Sequence, residues 1–162
     1  MEERRVARHL ELLALQSTLP GVESYLAEAR HSALKLAVAS SSSRAWVEGH
    51  LSRLGLLDMF DVLCCGDEVA HRKPDPDLYL AALSALSLSS DEAFALEDSP
   101  NGVLAAQRAG MICVAIPNPI TAQLPLEHAD LRVTSMEEVP LSLLIRRVEQ
   151  LQQARKIAIE PK

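Results

Sequence analysis

The sequence predicts an α/β fold with a mostly parallel sheet. Five short apolar runs stand out: 36–39, 62–65, 94–96, 112–116 and 131–133. The first four are nearly continuous rather than alternating, as strands covered on both faces are. Helical spacing fills most of the intervals, so strand and helix alternate along the chain. At 162 residues the chain has room for one domain of ordinary size. With one Trp, two Tyr and two Phe, its core must be built from Leu, Ala, Val and Ile.

Taken in order, residues 2–15 read as an amphipathic helix with Val6, Leu10 and Leu13 on one face. Thr18-Leu19-Pro20-Gly21 breaks it. The run 36–39 leads straight into four serines, Ser40 to Ser43. Val47, His50, Leu51 and Leu54 repeat at helical spacing, and Gly55 fits the C-terminal cap. After the run 62–65, Asp75 is placed to cap a helix with Pro76 at its first position, and Tyr79, Ala82, Leu83 and Leu86 form its stripe. After 94–96, Ser99 caps and Pro100 starts a helix with Val103, Ala106 and Ala109 on one face, ended by Gly110. The segment from about Met136 to Ile157 is an amphipathic helix of mixed charge.

Composition excludes several classes of partner. A net charge of −6 with both signs interspersed argues against a nucleic-acid binder, which shows a basic patch or stripe. No apolar run approaches the ~20 residues of a membrane span. The opening Met-Glu-Glu-Arg-Arg is followed by no secretion-type apolar stretch. Cys64, Cys65 and Cys113 form no C-x-x-C pair and no zinc-spaced cluster with histidine. Adjacent Cys64 and Cys65 would point to opposite faces of a strand, as buried reduced thiols. The expectation is a soluble cytoplasmic protein that binds neither nucleic acid nor membrane. Nothing in the sequence sets an oligomeric state.

Three places could carry chemistry. Ser40–Ser43 end a buried strand and precede a helix, at the carboxyl edge where parallel sheets bind ligands. Hydroxyls and free amides at a helix start suit an anion such as phosphate; plain capping by Ser42 or Ser43 is the competing reading. Arg44 could reach such a phosphate or stand in solvent. Lys73, beside a proline-rich turn, could offset charge on a transferring phosphoryl group. Glu97 and Asp98 close a buried strand, where unpaired charge is expensive. A hard cation such as Mg²⁺ would resolve that cost; stabilisation by the following helix dipole is the alternative. Gly102, one turn into that helix, permits a close approach. His31, His50, His71 and His128 show no ligand spacing to one another or to cysteine.

Together these segments carry a resemblance. Residues 36–44 with the serine run, then Lys73-Pro74-Asp75-Pro76-Asp77-Leu78-Tyr79, then Glu97-Asp98-Ser99-Pro100-Asn101-Gly102 resemble the later motifs of the haloacid dehalogenase-like (HAD) hydrolases. The β-phosphoglucomutase-like phosphatases and mutases are the most similar branch, and the likeness runs from about Pro20 to Val133. It implies a Rossmann-like three-layer sandwich and a Mg²⁺-dependent phosphatase or phosphomutase acting on a small phosphorylated metabolite, with sugar phosphates suggested by the branch. It implies that Ser40 and Ser41 bind the phosphoryl group, that Lys73 neutralises it and orients a nucleophile, and that Asp98 ligates Mg²⁺ with Glu97 in support. It also implies a division into a cap remnant (1–19), a core (20–150) and a tail (151–162).

The family's first motif, a strand ending in Asp-x-Asp whose first Asp attacks phosphorus, has no match. The acids before Pro20 are Glu2, Glu3 and Glu11, on a helical pattern. Asp75-Pro76-Asp77 has the spacing, but it follows Lys73-Pro74 instead of a strand. That missing strand is central in the family's sheet, so its loss leaves edges unpaired. The expectation is a chain without turnover: a shortened form of an enzyme, with a noncatalytic phosphate- and Mg²⁺-binding or interaction paralogue as the alternative.

Overall fold

Strands form where the sequence carries its apolar runs, and each is four residues or fewer. A computed structural model describes residues 16–159. The order is α1 (Val22–His31), β1 (Ala37–Ser40), α2 (Arg44–Arg53), β2 (Val62–Cys65), α3 (Asp77–Leu86), β3 (Phe94–Glu97), α4 (Pro100–Arg108), β4 (Ile112–Ala115), β5 (Leu131–Arg132) and α5 (Leu141–Ile159). All three strand pairings are parallel. This is the predicted α/β architecture with a Rossmann-like core. The predicted helix over residues 2–15, and with it most of the expected cap remnant, lies outside the described residues.

Among the described residues the sheet comes in two pieces. β1 pairs with β2, and β3–β4–β5 form a separate triple. Leu36 accepts from the β2 side, so by the period of two Val38 and Ser40 also face β2. The main-chain groups of Ala37 and Ala39 then point to the open edge. On β3, Glu97 accepts from Ile116 of the β4 side, so Phe94 and Leu96 face the other open edge.

Layering follows from β4, whose residues are all buried. Ile112 and Val114 pack with Tyr25 and Ala29 of α1 and Leu141, Leu144 and Val148 of α5. Cys113 and Ala115 face the other way, against Val103, Ala105 and Ala106 of α4 and Tyr79 and Leu83 of α3. A third cluster joins Leu78 and Ala82 of α3 to Cys64 of β2, with Ala37 and Ala39 of β1 against it. α3 therefore packs under both pieces of the sheet.

Local signals held in part. Gly55 and Gly110 adopt positive φ (69° and 82°) after α2 and α4, the conformation a glycine stop supplies. Ser99 accepts from the Gly102 amide at 3.1 Å, with Pro100 at the first helical position. Ser99→Ala should cost about 1 kcal/mol in urea unfolding. Asp75 does not cap α3: the helix begins at Asp77 with Pro76 before it and no side-chain cap, while Asp75 lies toward Arg108, 3.9 Å away. The reason is local, because the Asp75 amide closes a turn onto the Arg72 carbonyl. α1 was not anticipated, although Val22, Tyr25, Leu26 and Ala29 carry its spacing. Among the described residues, no helix is long and apolar enough to cross a membrane.

Candidate active site

The site begins with the strand ends. β1, β2 and β3 stop at Ser40, Cys65 and Glu97, and the loops after them meet. The Gly66 amide donates to the Ser42 carbonyl at 2.8 Å, tying the β2 loop to the serine run. Ser40 Oγ accepts from the Ser42 amide at 3.2 Å, which curls the run over the strand end. Ser43 occupies the position before α2 but makes no side-chain cap bond. The first α2 amide, on Arg44, donates instead to Asp67 at 2.9 Å. Capping by a serine is therefore not what the run does here.

Lys73 lies where the two pieces of sheet come together. Its ammonium donates to the Ala39 carbonyl on the open edge of β1, at 2.8 Å. It also pairs with Glu97 Oε1 at the end of β3. Glu97 is buried, at 8 % exposure, so the lysine supplies the charge partner that burial demands. Tyr79 donates its hydroxyl to the same Oε1, and the ammonium stands 4.9 Å from its ring centroid. Burial is the first cause, and the adjacent Glu97 the second, that push the Tyr79 phenol well above its usual range. It stays protonated and donates. The other Glu97 oxygen packs against Gly102, where a Cβ would overlap it. Lys73 and Glu97 were predicted site residues; Tyr79 was missed because it lies in a stripe that reads as core.

Asp98 turns the other way. Its Oδ2 accepts from Asn118 Nδ2 at 2.7 Å. Asn118 is fixed in turn, since its Oδ1 accepts from the amides of Ile120 and Thr121 at 2.8 and 3.0 Å. This loop residue follows β4 and had no sequence signal beyond its position at a strand end. Among the described residues, no three His, Cys, Asp or Glu side chains are grouped to hold a metal by themselves. Mg²⁺ commonly takes one or two carboxylates, with waters and substrate phosphate completing its shell. Asp98, oriented by Asn118 and without a cationic partner among the described residues, fits that manner of binding. Glu97 stands behind it, committed to Lys73 and Tyr79.

Arg44 is spent on structure. It bonds Glu68 (2.6 Å), Glu48 (3.0 Å) and the Leu63 carbonyl (2.8 Å), and these carboxylates raise its pKa further. All three cysteines are buried free thiols. Burial, then the nearby Glu97, pushes Cys113 up to about 12. A raised value means that its contribution to stability is complete below the unfolded thiol pKa, near 9. That contribution is lost as pH climbs toward 12. The urea midpoint should therefore fall above pH 9, and less steeply in Cys113→Ala.

The strand ends thus bring together a serine loop, a partly buried lysine and an oriented aspartate at one edge of an α/β core. The profile of the haloacid dehalogenase-like hydrolases matches residues 4–116, and the chain belongs to that family. YhcW of Bacillus subtilis (strain 168) is 45% identical over 145 residues, covering 90% of this chain and 64% of its own length. The crystal structure of CbbY from Rhodobacter sphaeroides in complex with phosphate superposes with a TM-score of 0.78. It is 35% identical and covers 89% of this chain and 67% of that one. β-Phosphoglucomutase from Clostridium difficile, at 24% identity, shares the fold with a TM-score of 0.78, covering 92% and 66%. The chain thus spans under two thirds of the length of curated relatives such as YhcW.

Proposed function

We propose that this chain is the phosphate-holding part of a HAD-like phosphatase or phosphomutase acting on a small phosphorylated metabolite. A sugar phosphate is the substrate class that the β-phosphoglucomutase-like branch suggests. The observation that carries the reading is Lys73, a partly buried ammonium fixed between Ala39 and Glu97 at the mouth of the divided sheet. Such a cation offsets phosphoryl charge best where water is excluded.

In this reading Ser40 and Ser41, with amides of the serine loop, bind the phosphoryl oxygens, and Lys73 neutralises them. Glu97 and Tyr79 hold the ammonium in place. Asp98 would hold Mg²⁺, whose role when bound is to polarise a phosphoryl oxygen. The first aspartate in the sequence is Asp58, well after β1, so no residue here is offered as the attacking carboxylate. The chain by itself should bind phosphate without turning over.

Two measurements test this. Phosphate release from an aryl phosphate with Mg²⁺ should be equally silent for the chain and for Asp98→Asn. Turnover by the former alone would show that a carboxylate of this chain attacks phosphorus. Phosphorus NMR of inorganic phosphate should show binding that weakens in Ser40→Ala. Absence of any binding would exclude the phosphate site altogether.

A further inference from the structure

We infer that Asn118 is a positioning residue for the cation: by holding one oxygen of Asp98 it makes that carboxylate a single-oxygen ligand, which favours Mg²⁺ over Ca²⁺. This rests on the reading above that Asp98 holds Mg²⁺.

Asp98 and Asn118 follow neighbouring strands, β3 and β4, and both side chains are half-buried. The orientation of the Asn118 amide is forced. Its Oδ1 accepts from the main-chain amides of Ile120 and Thr121 at 2.8 and 3.0 Å. A main-chain amide only donates, so the oxygen must face the loop and Nδ2 must face Asp98. The loop fixes the backbone of Asn118 as well. Its amide donates to Thr121 Oγ1 at 3.0 Å, and its carbonyl accepts from the Ala122 amide at 2.9 Å. These bonds aim the Nδ2 donor that holds Asp98 Oδ2 at 2.7 Å. Among the described residues the Asp98 side chain accepts through Oδ2 alone, so Oδ1 is the oxygen left for a cation.

The two cations use a carboxylate differently. Ca²⁺ gathers many oxygens in flexible geometry and readily takes both from one carboxylate. Mg²⁺ demands near-octahedral geometry, keeps several waters and uses few carboxylates. Withholding one Asp98 oxygen therefore costs Ca²⁺ more than Mg²⁺. Glu97 does not make up the loss, because Lys73 and Tyr79 hold its Oε1 and its other oxygen packs against Gly102. Partners that orient a ligating group typically change metal affinity by about tenfold or more.

The test is Mn²⁺ binding to the full chain, followed by the paramagnetic resonance of the free ion, with Mg²⁺ and Ca²⁺ as competitors. Asn118→Ala should shift the ratio of Mg²⁺ to Ca²⁺ affinity toward Ca²⁺ by about tenfold. Asn118→Asp keeps an acceptor for the Ile120 and Thr121 amides but replaces the donor with a carboxylate oxygen. It should shift the ratio the same way and raise Ca²⁺ affinity outright. Thr121→Val removes a loop bond without touching Asp98 and should leave the ratio unchanged. A residue that merely scaffolds the loop would weaken both cations together. A ratio unmoved in both Asn118 variants, or moved as far by Thr121→Val, therefore overturns the inference while leaving Asp98 as the metal ligand. Absence of cation binding to the unmodified chain, or binding that survives Asp98→Asn, instead overturns the metal reading and the selectivity with it.

Discussion

Lys73→Met should destabilise the fold by about 3–5 kcal/mol, read as a large fall in the urea midpoint at neutral pH. The size comes from the group left behind. Glu97 is 8 % exposed, and removing its partly buried partner strands the carboxylate charge in a low-dielectric interior. Tyr79 would still donate to Oε1, but a neutral hydroxyl does not balance a carboxylate. The double variant Lys73→Met/Glu97→Gln should recover much of the loss, because a neutral amide no longer requires a counter-ion. An unchanged midpoint in the single variant would mean that Glu97 does not depend on the ammonium. Phosphate binding should be absent from both variants, so stability and binding separate cleanly in the double variant.

Gly102→Ala should also destabilise, against its helix propensity. Alanine normally gains up to about 1 kcal/mol over glycine inside a helix. Here the new Cβ would overlap the Glu97 carboxylate, which Lys73 and Tyr79 hold in place. Overpacking of this kind costs roughly 1–3 kcal/mol. Phosphate affinity should fall as well, since displacing Glu97 releases Lys73. The sign should reverse in a Glu97→Ala background, where nothing is left to overlap and Gly102→Ala becomes neutral or stabilising. A destabilisation of equal size in both backgrounds would place the conflict elsewhere in α4.

Much of the fold is legible in the sequence because its signals are local. The strand cores 62–65 and 112–115 are apolar runs, and Ser99-Pro100 marks the start of α4. α1 escaped because Pro20-Gly21 reads as a break, whereas Gly21, at φ 85°, sits immediately before the helix. The same glycine packs its backbone against Met136 and Glu137, a contact more than a hundred residues away in sequence. The candidate site was legible in its residue types but not in its internal wiring. Glu97 and Asp98 stand out as charges at a strand end, and Lys73 as a charge beside a proline-rich turn. That Glu97 turns inward to the lysine while Asp98 turns to Asn118 depends on side-chain direction, which spacing does not carry. Tyr79 was hidden for a related reason: an aromatic on a buried stripe packs its ring, and the partner of its hydroxyl is known only once β3 is in place.

The division of the sheet has a consequence for how the backbone exchanges hydrogen with solvent. Along β1 the amides of Val38 and Ser40 are directed to β2, and those of Ala37 and Ala39 to the open side. Along β3 the amides of Ala95 and Glu97 are directed to β4, and those of Phe94 and Leu96 away from it. Deuterium uptake resolved residue by residue should therefore alternate, slow then fast, along both strands, although each is central in the fold. A segment that fills the opening would convert the fast positions to slow ones and leave the others unchanged. That alternation would register a bound strand even where no chemistry follows.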